Sequence, residues 1–331
     1  MKIIVFGSSR IGGVRVVSKS LTNSLLSLGY EAEFIHGYKA FKIIFSNLLT
    51  IYFSKKNKLF FITWGIYNLL PLPSRAILCF LHGFPSANQQ DLFRFYLFKS
   101  IIFINKIRKI RCITISKYAH SILKDIYKFD TKIIRNSIPF SFNKEHILNN
   151  LDKDIDIIFV GRLNLFKMPQ FILDNLEGLA SKGLNIYIVG EGSSKKKYLN
   201  NHKNTNLIFS DFVDRKEVSN LLKRSKYFIS CSDSEPFGIV FLEALLFGCR
   251  VISPRSGGLL EISSLFPEEL IYLFNFYDDE TDAKEILNSL NFQIKSISSS
   301  DLKRISKIID VKFNPINHAK KVINYLNLIE N

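Results

Sequence analysis

Apolar residues in this chain gather in short continuous runs, separated by longer stretches whose apolar positions recur every third or fourth residue. Ile3–Phe6, Glu33–His36, Leu59–Thr63, Ile77–Leu81, Cys112–Ser116 and Lys132–Arg135 form one series of runs. Ile157–Val160, Asn185–Val189, Leu207–Phe209, Tyr227–Ser230, Arg250–Ser253 and Leu270–Leu273 form a second. Several are apolar throughout rather than alternating, as parallel strands covered on both faces must be. Between them Val17–Leu28, Pro169–Leu179, Lys216–Ser225 and Phe241–Phe247 carry helical spacing. This alternation along the whole length predicts an α/β protein with parallel sheets.

The two series meet in the polar stretch near 140–155. With 331 residues, the chain exceeds what one compact core usually holds. It therefore divides into two Rossmann-like domains, 1–145 and 152–312. These are expected to face each other across a cleft. In the C-terminal segment, about 313–331, Ala319, Val322, Ile323 and Leu326 stand at helical spacing, so this helix is expected to pack back on the first domain.

The four cysteines, Cys79, Cys112, Cys231 and Cys249, form no CxxC pair and lie near no histidines at zinc-site spacing. Buried free thiols in a reducing cytosol are expected. The opening "MKIIVFGSS" predicts a strand running into a glycine turn, not a secretion signal. No run approaches the roughly 20 apolar residues of a membrane-spanning helix. Charge modifies this cytoplasmic picture. The net charge is +16, and residues 1–150 hold all of it, 22 Lys+Arg against 6 Asp+Glu, while residues 151–331 hold 23 of each. Such segregation predicts that the first domain faces a polyanion or an anionic membrane, with compositional drift as the alternative. Along residues 92–111 a helical wheel places Arg94, Lys99, Lys106, Arg108 and Lys109 on roughly one half and most large apolar residues on the other. That pattern fits membrane-surface docking or a core helix with a cationic outer face. No nucleic-acid-binding motif accompanies the charge, so no nucleic-acid partner is expected.

Three segments carry chemistry. In "GSSRIGGVRVV", Gly7 ends a strand and Gly12-Gly13 form a turn into a helix, where backbone N–H groups can approach phosphate or sugar oxygens. In "FVGRLNLFK", a buried strand delivers Arg162 and Lys167 to the carboxyl edge of its sheet. A guanidinium and an ammonium there suit a diphosphate. In "SDSEPFGIVFLEALLFGCRVISPRSGG", Glu235 precedes a helix opened by Phe237-Gly238-Ile239, and Glu243 lies about one turn inside it. The helix entrance aims amides and a positive dipole end at an anion, and the flanking carboxylates can accept hydrogen bonds from sugar hydroxyls.

In this order the segments resemble glycosyltransferase family 4, whose members have the GT-B fold. The resemblance covers nearly the whole chain. Its E-x7-E pattern matches as Glu235 to Glu243, and its Gly-Arg-Leu-x3-Lys as Gly161, Arg162, Leu163 and Lys167. "LNIYIVGEG" resembles the strand and turn that follow, at Gly190-Glu191-Gly192, "TISKYAHSILK" resembles a helix start of the first domain, and "FLHGF" places His82 where the family often has a histidine near the sugar. The sequence departs from the family pattern at Asn136-Ser137-Ile138-Pro139, at Asp211, where a glycine is expected, and in a shorter N-terminal glycine loop.

The resemblance implies the following roles. Arg162 and Lys167 bind the donor diphosphate and stabilise it as it leaves. Glu243 holds ribose hydroxyls, and Glu235 the transferred sugar. The backbone from Phe237 through Gly238 and Ile239 to Val240 touches sugar and phosphate. Gly161 and Gly190 line the donor site, Phe212 lies near the nucleobase, and His82 and Gly13 close the site from the first domain. It further implies a retaining, metal-independent transfer in cell-surface polysaccharide synthesis. The donor is a nucleotide-sugar, no other cofactor is needed, and the acceptor is a lipid-linked saccharide at the inner face of the cytoplasmic membrane. The alternatives are another GT-B enzyme, such as an epimerase or phosphorylase, and a non-catalytic polyanion-binding protein on the same fold. Asp154-Ile155-Asp156 matches a DxD metal motif but sits in the polar stretch entering a strand, so metal binding is not expected there.

Overall fold

The computed structural model describes residues 2–8, 12–37, 42–43, 59–63, 67, 72–84, 92–139, 153–165, 167–201, 207–211, 213–232, 234–255, 257–275, 280–290 and 297–327. The chain forms two compact units, Met1–Ser141 with Val311–Asn331, and Phe142–Asp310.

The first unit holds a six-stranded parallel sheet of β1 (Lys2–Gly7), β2 (Glu31–His36), β3 (Leu59–Thr63), β4 (Ile77–Leu81), β5 (Arg111–Thr114) and β6 (Lys132–Ile133), in the order β2-β1-β3-β4-β5-β6. Successive side chains of a strand point to opposite faces, and each face has its own core. Ile4, Phe6, Phe61, Ile77, Cys79 and Leu81 pack on one side with Ile102 of α2 (Leu92–Ile107) and Leu123 of α3 (Lys117–Tyr127). Ile3, Val5, Phe60, Ile62, Leu78 and Phe80 pack on the other. Two helices cover that second face. Leu21 and Leu25 come from α1 (Gly13–Ser27), and Ala319, Val322, Ile323 and Leu326 from the C-terminal α11 (Pro315–Asn327). These four residues are at most 3% exposed, and each of the three larger ones contributes about 1.5–3 kcal/mol by burial. The start of α3 is fixed by Ser116, whose Oγ accepts a hydrogen bond from the Ala119 N–H at 3.0 Å.

The amphipathic segment of the first unit departs from the two halves that its helical wheel gives. On α2, Ile101, Ile102 and Asn105 are buried, but Phe93, Tyr96, Phe103 and Ile107 are all more than 60% exposed and share the outer surface with the exposed Lys99 and Lys106. Aromatic and cationic side chains therefore stand on one face instead of opposite halves. Arg108 is drawn aside and donates to the Leu72 carbonyl. The side chain of Arg94 lies outside the described residues.

The second unit repeats the architecture. Its sheet contains β7 (Ile155–Val160), β8 (Ile186–Val189), β9 (Leu207–Ser210), β10 (Ser225–Ile229), β11 (Arg250–Pro254) and β12 (Ile271–Phe274), all parallel in the order β12-β11-β10-β7-β8-β9. Helices α4 (Gln170–Ala180), α5 (Lys195–Asn201), α6 (Arg215–Arg224), α7 (Ile239–Leu246), α8 (Gly257–Ser263), α9 (Glu280–Ser289) and α10 (Ser299–Lys312) connect or follow them. Asp214 caps α6 by accepting from the Glu217 N–H at 2.9 Å.

The strand β7 starts at Ile155, two residues before the apolar run, and so takes in Asp156. Its carboxylate is satisfied by Lys226 Nζ at 2.7 Å and the Asn185 N–H at 2.9 Å. Asp154 is paired with Arg224. Both DxD carboxylates thus serve the amino edge of the sheet as structural partners. All four cysteines are buried and free.

Candidate functional site

The chain runs outward from β7 through β8 and β9, then returns to β7's other side as β10. In open parallel sheets ligands bind beyond the carboxyl ends of the strands at such a point of reversal. The loop after β7 carries Gly161, Arg162 and Lys167, and the loop after β10 carries Ser232 and Glu235. Asn164 bends the first loop by accepting from the Lys167 N–H at 2.9 Å. Lys167 Nζ then donates to Ser232 Oγ at 3.2 Å and forms an ion pair with Glu235 Oε2. The other carboxylate oxygen, Oε1, accepts from the Gly238 N–H at 3.2 Å. Burial acts to raise the Glu235 pKa, but the Lys167 ammonium and the Phe237 and Gly238 amides outweigh it and hold the carboxyl below its ordinary range. Glu235 is therefore an anion at neutral pH, and both side chains keep about a third of their surface open, 26% for Glu235 and 32% for Lys167.

Gly238 is dictated by geometry. Its φ is +83°, and a Cβ there would lie 2.1 Å from Leu259 Cδ2, so only glycine lets the chain turn into α7 so close to α8. At that turn the Ile239 and Val240 N–H groups have no acceptor within the helix, and the positive dipole end points at the reversal. A second enforced glycine is Gly190, with φ +149° and a Cβ position 1.8 Å from the Gly161 carbonyl oxygen. The Gly190 N–H is bonded to the Ser210 carbonyl at 3.2 Å and the Gly161 N–H to the Val189 carbonyl at 3.0 Å. These two glycines fix the shape of the loops, and their amides are committed to backbone. Asp211, in the place of a family glycine, pairs with Lys195, which also contacts Glu191 at 2.9 Å and ties the loops after β8 and β9 together.

The structure brings Lys167, Glu235 and the Phe237–Val240 backbone into one cluster. Arg162 shares the Lys167 loop but is exposed and contacts no charged group among the described residues. Glu243 has a different partner. It is 1% exposed, and its Oε1 lies against the guanidinium of Arg215, the first residue of α6, as an ion pair without a well-directed hydrogen bond. Burial lowers the Arg215 pKa to about 10, which leaves it cationic at neutral pH. Sequence reasoning missed Arg215. The one available signal was general: a carboxylate inside an apolar helix must find a cation. Phe212 lies outside the described residues.

His82 and Gly13 belong to the first unit, at the carboxyl ends of β4 and β1. Burial, then the nearby His318, lowers the His82 pKa to about 4, so its ring is neutral at physiological pH. His318 of α11 is 3% exposed, and burial lowers it also to about 4. Its Nδ1 is 2.7 Å from the Arg135 carbonyl, which fixes the proton on that nitrogen. The shared neighbour is Phe80, whose ring centroid is 5.6 Å from His82 and 6.0 Å from His318.

Residues 141–291, nearly all of them in the second unit, match the family model described as Glycosyl transferases group 1. An uncharacterized glycosyltransferase of Methanocaldococcus jannaschii, MJ1178, is 29% identical over 155 residues. That match takes in 46% of this chain and 42% of the relative, so it spans less than half of either. Two solved structures share the fold along the entire length. HepE of Anabaena in complex with UDP-glucose superposes with a TM-score of 0.69 at 14% identity, covering 99% of each chain. WaaG, a glycosyltransferase involved in lipopolysaccharide biosynthesis, superposes with a TM-score of 0.70 at 12% identity, covering 98% of this chain and 99% of WaaG. Two parallel-sheet, Rossmann-like units of this kind are the GT-B fold.

Proposed function

We propose that this chain is a retaining glycosyltransferase of family 4 that moves a sugar from a nucleotide-sugar onto a lipid-linked saccharide, in the assembly of a cell-surface polysaccharide. The observation that carries the reading is the Lys167–Glu235–Gly238 cluster at the sheet reversal of a glycosyl transferases group 1 domain. Without donor, Lys167 and Glu235 neutralise each other. A diphosphate entering beside Arg162 and the α7 entrance competes for the Lys167 ammonium. Glu235 is then released to accept hydrogen bonds from the sugar's hydroxyls.

Breaking the anomeric C–O bond leaves negative charge on the diphosphate, and Arg162, Lys167 and the α7 dipole stabilise it. The leaving phosphate oxygen takes the acceptor hydroxyl's proton on the same face, so configuration is retained. These cations supply the charge that a metal would otherwise provide, and transfer is metal-independent. In the first unit, neutral His82 and the Gly13 helix entrance serve sugar and acceptor. The segregated positive charge and the mixed cationic and aromatic face of α2 fit a protein docked on an anionic leaflet, where such an acceptor resides. No described helix is long and apolar enough to cross a membrane.

The test is a thermal-shift screen with UDP-, GDP-, ADP- and CMP-sugars, followed by product analysis. One nucleotide class raises Tm, and its sugar is transferred with retention. An absence of any shift, or inverted product, overturns the reading.

A further inference from the structure

The first unit contains a cavity of about 410 Å³ lined by residues that include Asn105, Lys106, Lys109, Arg111, Lys132 and Tyr325. Its position is set by topology. Arg111 and Lys132 open β5 and β6, so the cavity lies at the amino edge of the sheet. His82 and Gly13 follow the carboxyl ends of β4 and β1, at the opposite edge of the same sheet. The cavity is thus separate from the donor and acceptor groups assigned above.

Among the described residues, four cationic side chains line it against a single acid, Asp130. That acid is engaged already: its Oδ1 accepts from the Thr131 N–H at 3.0 Å and lies 3.7 Å from His120 Nε2. Among the described residues, Lys106 Nζ reaches a backbone carbonyl, that of Lys128, at 3.5 Å. Two polar atoms at the cavity are buried without a hydrogen-bond partner, Arg111 Nη1 and Asn105 Oδ1. Asn105 is fully buried, at 0% exposure, and its amide nitrogen is 3.7 Å from Cys112 Sγ. Buried donors and acceptors are normally satisfied. Arg111 thus keeps donor capacity that the described residues do not satisfy. A guanidinium flanked by ammonium groups is the usual means of holding a phosphate.

We infer that this amino-edge cavity binds a phosphate ester, its phosphate held by Arg111 with Lys106, Lys109 and Lys132. The phosphate is that of a free metabolite or of a lipid headgroup, and both present the same chemistry.

The test uses the full chain carrying Arg162→Ala and Lys167→Ala, which removes the cations of the second unit. Isothermal titration with glycerol 3-phosphate at low salt should give saturable one-to-one binding. Lys132→Gln and Arg111→Gln should each weaken it about tenfold, the usual effect of losing one charged hydrogen bond. Lys99→Gln, outside the cavity, should leave it unchanged. A second arm measures binding to phosphatidylcholine vesicles containing phosphatidylglycerol. Loss of vesicle binding in Lys132→Gln without glycerol 3-phosphate binding assigns the site to a headgroup. The inference is overturned if neither probe responds to Lys132→Gln and Arg111→Gln, or if glycerol 3-phosphate binds both variants as tightly as the parent. Circular dichroism of each variant separates lost binding from lost folding, and exposed Lys132 keeps the test informative should Arg111→Gln unfold.

Discussion

In the proposed mechanism Lys167 and Glu235 are each other's partners until a more strongly charged ligand arrives, and this makes the two side chains unequal under mutation. If they act as proposed, replacing Lys167 or Arg162 with Ala removes stabilisation of the leaving diphosphate, with an expected loss of about 3 kcal/mol, or roughly a hundredfold in kcat. Initial rates with the donor found in the screen, on variants of unchanged melting temperature, check this. Near wild-type turnover would remove both residues from the mechanism. Arg215 is expected to behave differently. Glu243 is 1% exposed, and without its cation the carboxylate must either remain charged and unpaired or take up a proton. Arg215→Gln should therefore lower stability by about 3 kcal/mol and make donor affinity fall with decreasing pH at values where the parent is flat. Arg215→Lys should restore much of both. A donor affinity in Arg215→Gln that ignores pH would detach Glu243 from the donor. At this scale the sequence revealed the local cluster, because Lys167, Glu235 and Gly238 sit within two short segments of recognisable spacing. It could not reveal Arg215, whose contact with Glu243 exists only after α6 and α7 pack side by side.

Among the described elements, all twelve strands were legible, most of them because buried parallel strands write themselves as nearly unbroken apolar runs. The errors lie at ends where polar residues find partners that the sequence does not display, as Asp156 does in β7. The outer face of α2 was not legible for a related reason. A helical wheel sorts side chains by polarity, and here apolar side chains remain outside because Ile101, Ile102 and Asn105 already fill the inner face. That exposed face leads to a measurable outcome. The chain should pellet with anionic vesicles at low salt and be largely released near 1 M salt, where the screening length falls to about 3 Å. Replacing Phe103 and Ile107 with Ser should weaken the binding without disturbing the core. Equal affinity for neutral vesicles would rule out the electrostatic part. The entrance of α7 offers a separate check. Gly238→Ala forces a left-handed residue and a Cβ against Leu259, with an expected cost of about 2–4 kcal/mol seen in chemical denaturation.

For the molecule as a whole, acidity is the sensitive variable. His318 is buried and neutral in the folded chain, with its pKa lowered to about 4 from an ordinary 6.5. The unfolded chain therefore binds an extra proton between these values. Stability is full above about pH 6.5 and declines as pH falls toward 4, by at most about 3 kcal/mol from this residue. Denaturation at pH 7.5 and pH 5 should show the decline, and His318→Gln should lessen it. An unchanged slope would place the loss elsewhere.

His318 belongs to α11, and that helix has a consequence in time. One face of the first sheet is closed by α1 together with residues 319–326, while the sheet's own strands end at Ile133. During synthesis, at roughly 5–20 residues per second, the ribosome makes the entire second unit before the closing helix appears. For something on the order of ten to forty seconds an apolar face built from Ile3, Val5, Phe60 and Leu78 waits half covered. The nascent chain is then a natural client for holding chaperones, and its yield should depend on them more than the finished protein's stability would suggest.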